Sequence, residues 1–243
     1  QRQLPRPPQR HPHRAVRRIK RAVCVARVAL CLLAGVAPAA LAAGDTGDDG
    51  GLIERLSVIE VQHASLCATA HGDAAHGNVA LADQIGPLLS ELRTLNLENK
   101  PPAVRIEALN RLLYGRLGIR ASEDLKDPCN LLPSSALARR QGYCVGIAAL
   151  YLVLAERLGL PIYAVATPSH VFLRYDDGTT QINIETLQGV ANVPDEQYIR
   201  EQKIPEESIR RGVFMRNLTT DEFLAQVHNN LGVVYSERKD YEM

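Results

Sequence analysis

Residues 141–176 read QGYCVGIAALYLVLAERLGLPIYAVATPSHVFLRYD, and the spacing of their apolar residues changes along the stretch from a helical to an extended period. From Cys144 to Leu158 the large apolar residues recur at intervals of three and four, which predicts a buried helix. Gly159 and Pro161 supply the signals that end it.

The segments that follow have the two-residue period of strands. They are residues 161–167, 169–175 and 181–186, with the turn sequence DDGT at 176–179 between the second and the third. A helix that carries a cysteine at its start and leads into antiparallel strands indicates an α+β fold.

Cys144 lies where the Gly-containing loop QGY meets the start of this helix. Unpaired backbone N–H groups and the helix dipole favour a thiolate there, and the thiolate is the nucleophilic form of cysteine. The same N–H groups are placed to stabilise the oxyanion that forms when sulfur attacks a carbonyl. A small buried core residue at the first turn is an equally good interpretation of the position alone.

The turn decides which residue faces His170, at the start of the second strand. A two-residue loop at Asp177-Gly178 predicts that His170 lies directly opposite Glu185. Asn183 then lies diagonally beside it on the same face. A four-residue loop over 176–179 gives the same register, whereas a three-residue loop shifts the pairing by one residue and removes Glu185 from this face.

These residues suggest a division of chemical roles. Cys144 attacks, His170 acts as general base and then general acid, and Glu185 or Asn183 holds the imidazole in the useful tautomer. Gln141, three residues before the cysteine, is a candidate second oxyanion donor; an exposed loop glutamine is the alternative.

The stretch RRQGYCVGIAALYLVLAERLGLPIYAV, followed by PSHVFLRYDDG and INIETLQG, resembles the transglutaminase-like superfamily, specifically its SirB-type branch, over roughly residues 85 to 215. The resemblance implies a papain-like core with a Cys-His-Asp triad, here Cys144, His170 and, where the family has Asp, Glu185. Asn183 is the alternative third member. Some members of this branch keep the fold and lack the cysteine, so an inactive module remains open.

The N-terminal region has the layout of a secretory signal peptide. Residues 1–42 hold nine Lys or Arg and no Asp or Glu, and they contain an apolar run of roughly ten residues that ends in small residues. The run is too short for the ~20 residues of a membrane anchor. We expect cleavage after Ala42, a flexible linker over 43–51, a periplasmic or secreted product and no membrane span after cleavage.

Cleavage of the predicted signal peptide changes the charge and the cysteine content of the remaining chain. The remainder holds 19 basic against 27 acidic residues, and this acidic balance argues against a nucleic-acid partner. The predicted export places Cys67, Cys129 and Cys144 in an oxidising compartment. A Cys67–Cys129 bridge leaves Cys144 free; three unpaired cysteines, or a disulfide at Cys144, are the alternatives.

Further helices are predicted at residues 52–70, 80–96 and 102–118. His63, His71 and His76 lack the spacing of a zinc site, and we interpret them as solvated. The sequence predicts no metal and no cofactor.

The C-terminal residues 219–243 resemble the first helix of a tetratricopeptide repeat. Leu231, Gly232 and Tyr235 have the L-G-x-x-Y spacing, and Tyr241 falls in the turn region. The pattern breaks off inside a repeat, which leads us to expect a longer natural product. A solitary amphipathic helix packed on the domain is the alternative.

Together these features predict a transglutaminase-like domain over residues 52–215. The expected activity is cleavage or transfer of amide bonds through a Cys144 thioester, on a peptide or protein substrate, as a peptidase or an acyltransferase. The alternative is an inactive module of the cell envelope that binds peptides or proteins, with the repeat recruiting a protein partner.

Overall fold

The computed structural model describes residues 51–71, 80–124 and 127–238. The signal peptide predicted at 1–42 and residues 43–50 of the predicted linker lie outside these residues. The side chain of His71 lies outside the described part of the chain. His76 and Tyr241 lie outside it entirely.

The N-terminal part of the described chain is helical, as predicted. Its helices are α1 (Leu52–His71), α2 (Leu81–Arg93) and α3 (Pro102–Asn110), the last continuing as a π-helical turn over Arg111–Arg116. α2 ends before the predicted residue 96, because Asn96 adopts a left-handed conformation (φ 48°) and a short 3-10 turn follows. Gly118, at φ 70°, ends the third helical segment where the sequence predicted a stop.

The segment before the cysteine helix is a compact connection. Strands β1 (Arg120–Ala121) and β2 (Gln141–Gly142) pair in parallel, and between them lie a 3-10 turn (Pro128–Leu131) and helix α4 (Pro133–Arg139). A disulfide joins Cys67 of α1 to Cys129 of the 3-10 turn. Among the described cysteines, Cys144 is free.

Helix α5 (Cys144–Arg157) is almost wholly buried against an antiparallel sheet. The sheet has the order β3-β4-β5-β6, with β3 at Ile162–Thr167, β4 at His170–Asp176, β5 at Gln181–Glu185 and β6 at Val190–Ala191. The predicted helix and strands are all present, and the predicted α+β fold class is confirmed.

Each face of the sheet packs against its own apolar cluster. Val171, Leu173 and Tyr175 of β4 join the main core with α5, while Phe172, between them, points to the other face. That second face is covered by α6 (Asp195–Gln202), α7 (Glu206–Arg210) and the segment up to residue 215, through Tyr198, Ile204 and Met215. The alternation of β4 therefore places His170 on the side of Phe172 and α6.

Helix α8 (Thr220–Arg238) packs its apolar stripe into the main core. The stripe consists of Phe223, Leu224, Val227, Leu231 and Val234. His63 of α1 is only 7% exposed and forms a hydrogen bond of 2.8 Å with the Tyr235 hydroxyl, so the prediction that it is solvated is wrong. Within the described residues, none of the helices combines the length and apolarity required to cross a bilayer.

Candidate active site

Cys144 is the first residue of α5. Tyr143 precedes it in an extended conformation, and no side chain of the described residues caps the helix. The first N–H groups of a helix have no intrahelical acceptor, and the positive end of the helix dipole favours an anion beside them. The half-buried Cys144 sulfur therefore lies where the backbone stabilises negative charge.

The start of α5 is fixed against the 3-10 turn. Tyr143 N–H donates to the Asn130 carbonyl oxygen at 2.7 Å. Gly146 approaches the same oxygen so closely that a Cβ at this position would lie 2.5 Å from it. Glycine is therefore needed at 146, and the position of the thiol depends on the turn that the Cys67–Cys129 disulfide ties to α1.

His170 lies between the thiol and a buried carboxylate. Its Nε2 is 2.9 Å from Glu185 Oε2 and 3.1 Å from Oε1, and the two side chains are 12% and 3% exposed. The ring also faces Cys144, and His170 together with the backbone N–H of Val171 lowers the pKa of the thiol. Because Nε2 bonds the carboxylate, Nδ1 is the nitrogen left for the thiol.

The register that produces this pairing differs from the predicted one. The loop spans residues 177–180, so Asp176 pairs with Gln181 and Arg174 with Asn183. Glu185 is thus diagonal to His170, two residues away from the position predicted by a loop centred on Asp177-Gly178. A shift of two residues preserves the face of a strand, and the longer glutamate side chain spans the diagonal.

Two further groups hold the Glu185 carboxylate, and the sequence predicts neither. Leu187 N–H donates to Oε1 at 3.0 Å, and the Tyr198 hydroxyl of α6 donates to Oε2 at 3.0 Å. Tyr198 follows Glu185 by 13 residues in another element. No local sequence pattern links Tyr198 to Glu185. The spacing of the polar residues along α6 is the feature of the sequence that points to this face of the helix.

The electrostatics of the three side chains are mutually consistent. Burial alone lowers the pKa of His170, but the Glu185 carboxylate and Cys144 together raise it to about 10. Burial raises the pKa of the Cys144 thiol, and His170 with the Val171 N–H more than offsets this, so the pKa is lowered. The pKa of Glu185 is likewise lowered despite burial, chiefly by His170. The arrangement favours a thiolate beside an imidazolium.

Asn183 is not brought to the imidazole. Its Oδ1 accepts from Arg174 Nε at 2.8 Å, and its Nδ2 donates to Asp195 Oδ1 at 2.6 Å and to the Val193 carbonyl at 2.8 Å. Both ends of the amide are therefore engaged in a buried network around Arg174, on the same face of the sheet but one pair of residues further along.

Gln141 lies in β2, paired with Arg120, and its side chain is half-buried. Because β2 leads directly into α5, Gln141 is close to Cys144 along the chain. The structure thus brings Cys144, His170 and Glu185 together, leaves Gln141 on the adjoining strand, and places Asn183 elsewhere.

Comparison with known protein families identifies the domain. The family model described as the transglutaminase-like superfamily matches residues 80–230, which is more than half of the chain and includes Cys144, His170 and Glu185. The chain belongs to the transglutaminase-like superfamily. The superfamily match extends from just before α2 into α8, so it reaches further toward the C-terminus than the predicted domain boundary at residue 215.

Relatives of this transglutaminase-like chain match over short stretches. F-box only protein 21 of Mus musculus is 35% identical over 74 residues, 30% of this chain and 12% of that protein. A UPF0162 protein of Xylella fastidiosa (strain 9a5c) is 33% identical over 78 residues, which is 31% of this chain. A UPF0162 protein of Haemophilus influenzae is 32% identical over 103 residues, which is 42% of this chain.

The chain spans only 28% and 39% of those two UPF0162 proteins. They fit a branch related to the predicted SirB-type branch. No solved structure matches.

Proposed function

We propose that this chain is a cysteine enzyme that cleaves or transfers amide bonds of peptides or proteins through a thioester at Cys144. The observation that carries the proposal is the placement of the Cys144 thiol beside His170, whose Nε2 is hydrogen-bonded to the buried Glu185 carboxylate. A nucleophile, a base within hydrogen-bond reach and a third group that orients the base are the arrangement that activates a weak nucleophile.

The first half-reaction forms the thioester. The Cys144 thiolate attacks the carbonyl carbon of the amide, and the carbonyl electrons move to oxygen, where the N–H groups at the start of α5 stabilise the charge. The amide side chain of Gln141 is proposed as a second donor to this oxyanion. The carbonyl then re-forms as the C–N bond breaks, and His170 gives its proton to the departing nitrogen, leaving an amine and a neutral imidazole.

The second half-reaction releases the acyl group. His170 takes a proton from water or from a primary amine as that molecule attacks the thioester carbon. The C–S bond breaks, and sulfur leaves as the thiolate beside the regenerated imidazolium. Water gives a carboxylic acid, which is hydrolysis; an amine gives a new amide, which is acyl transfer.

Glu185 takes the role of the orienting residue in this proposal, in place of Asn183. Its carboxylate bonds Nε2 of His170, which fixes the proton on that nitrogen and directs Nδ1 to sulfur. Asn183 donates and accepts elsewhere, so its amide is committed to the Arg174 and Asp195 side chains.

Trapping the acyl group tests the proposal directly. The protein is incubated with p-nitrophenyl acetate, and intact mass with peptide mapping locates any acetyl group. We expect rapid acetylation at Cys144 in the wild type, none in Cys144→Ala, and a strongly reduced rate in His170→Ala. Gln141→Ala should slow acetylation about 100-fold if its amide is an oxyanion donor. Addition of a small primary amine then distinguishes hydrolysis from transfer.

The contrary outcome is equally specific. If Cys144→Ala acquires acetyl groups as fast as the wild type, or if Cys144 reacts no faster than an unfolded peptide thiol, the enzyme proposal fails. Peptide or protein binding by an inactive module would then be the remaining interpretation of this site.

Two further parts of the proposal concern the ends of the chain. We propose export through the signal peptide at residues 1–42, which supports a periplasmic or secreted location; N-terminal sequencing of the exported protein should begin at Ala43. We also propose that residues 219–243 start a tetratricopeptide repeat. In support, a Cβ added at Gly232 meets no atom of the described residues within 4 Å, and this glycine lies on the exposed side of α8.

A further inference from the structure

Helix α6 carries three polar side chains that reach the surroundings of the His170–Glu185 pair. They are Asp195, Tyr198 and Gln202. Their spacing of three and four residues places them on one face of the helix. Asp195 and Tyr198 contact the sheet, and Gln202 contacts the turn before β4, so one face of the helix extends along both sides of the pair.

Tyr198 is at the centre of this face. It is 3% exposed, and its ring stacks on Phe172 with the centroids 4.1 Å apart and the planes 4° from parallel. This stacking holds the ring, so the hydroxyl has a fixed direction when it donates to Glu185 Oε2 at 3.0 Å. The ring also lies beside His170, at a centroid distance of 6.3 Å.

Both ends of α6 are tied to β4 or to the turn before it. Asp195 accepts from Arg174 Nη2 at 2.7 and 2.8 Å, and Arg174 is only 5% exposed. Gln202 Oε1 accepts from Ser169 N at 3.3 Å and from Ser169 Oγ at 3.0 Å. Ser169 is the residue before His170, so α6 contacts the chain on both sides of the imidazole.

We propose that α6 is the positioning element of the site, in which Tyr198 acts through Glu185 to keep the imidazole of His170 aimed at Cys144. The inference rests on the proposed function for the importance of the thiolate, but it concerns how that thiolate is maintained. Tyr198 is a positioning residue, because it touches the orienting carboxylate and not the reacting sulfur.

The titratable groups that face Glu185 determine the sign of the effect. They are His170 on β4, Cys144 on α5, Tyr198 on α6 and Tyr114 on the π-helical turn. The Tyr198 hydroxyl stabilises the ionised carboxylate, so its removal raises the pKa of Glu185. A protonated Glu185 no longer holds the imidazolium, and the thiolate is then lost at a higher pH than in the wild type.

Tyr198→Phe tests this inference, since it removes the hydroxyl and keeps the ring on Phe172. The measurement is the rate of Cys144 alkylation by iodoacetamide across the acidic and neutral pH range, followed by intact mass. We expect the acid limb of the profile to move up by about one pH unit. Tyr163→Phe, at a 39% exposed tyrosine of β3, is the matched control and should leave the profile unchanged.

A double substitution separates positioning from packing. In a Glu185→Gln background, Tyr198→Phe should have no further effect on the profile, because the carboxylate through which it acts is gone. The inference is overturned if the acid limb of Tyr198→Phe is unmoved, or if its effect persists unchanged without Glu185.

Alkylation requires no turnover, so this test is independent of the acyl-trapping experiment. A wild type that fails to form an acyl-enzyme overturns the proposed function and leaves the alkylation profile interpretable. An unmoved limb overturns only the role of Tyr198. Thermal unfolding of each variant shows whether the fold is retained, and a change in stability without a change in the limb also contradicts the inference.

Discussion

Replacing Glu185 by Gln removes the charge that holds His170 as an imidazolium and nearly preserves the size of the side chain. Burial lowers the pKa of His170, and the Glu185 carboxylate is the largest of the effects that raise it to about 10, from an ordinary 6.5. That difference of about 3.5 pH units corresponds to about 5 kcal/mol in favour of the cation. Without the carboxylate, Cys144 is the group left to oppose the effect of burial, and we expect the pKa of His170 to fall by about two units or more.

The same substitution should raise the pKa of Cys144, because a neutral imidazole no longer stabilises the thiolate. The assay is NMR titration of isotope-labelled histidine, with His170→Ala to assign the signal. Glu206→Gln, at an exposed carboxylate on α7, is the matched control and should leave the titration of His170 unchanged. If His170 titrates near pH 10 in Glu185→Gln as well, the carboxylate is not the source of the shift, and the electrostatic account of the site is refuted.

Other substitutions test how the site is supported. Gly146→Ala places a Cβ 2.5 Å from a backbone oxygen and should lower the free energy of unfolding by about 1–3 kcal/mol, whereas Gly232→Ala, in open space, should raise it by up to about 1 kcal/mol in urea denaturation. Joint replacement of Cys67 and Cys129 by Ala removes a disulfide that spans 62 residues, and it should lower the free energy of unfolding by about 4 kcal/mol. Equal melting temperatures with and without the disulfide would contradict this. Glu222→Gln removes a partly exposed carboxylate whose pKa a hydrogen-bonded arginine lowers to about 2. It should therefore cost roughly 0.5 kcal/mol at neutral pH, where the carboxylate is ionised, and less as the pH falls from 4.5 toward 2 in thermal melts.

The sequence was sufficient for the elements that depend on local periodicity. The helix starting at Cys144 and the strand alternation that sets His170 apart from Val171 follow from apolar spacing, and both are present. The face shared by His170 and Glu185 was also predictable, because any loop of even length preserves it. The position of the loop was not predictable from the sequence. Asp176 pairs with Gln181 through a four-residue loop, which side-chain and backbone hydrogen bonds stabilise.

Features that depend on distant elements could not be predicted. Asn183 looked free to orient the imidazole, but Arg174 and a residue from α6 take both ends of its amide. Tyr198 reaches Glu185 from another layer, and His63 is buried because α8 returns over α1. In each case the partner is fixed by tertiary packing, which a local pattern of residues does not encode.

The most direct test of the central claim is the ionisation of Cys144 itself. The ultraviolet absorbance of the thiolate is followed against pH in the wild type, and the titration of Cys144→Ala is subtracted. The account predicts a thiolate that forms at a pH below the ordinary thiol range, because His170 stays charged beside it under the influence of Glu185. A midpoint at or above the ordinary pKa of a cysteine would contradict it.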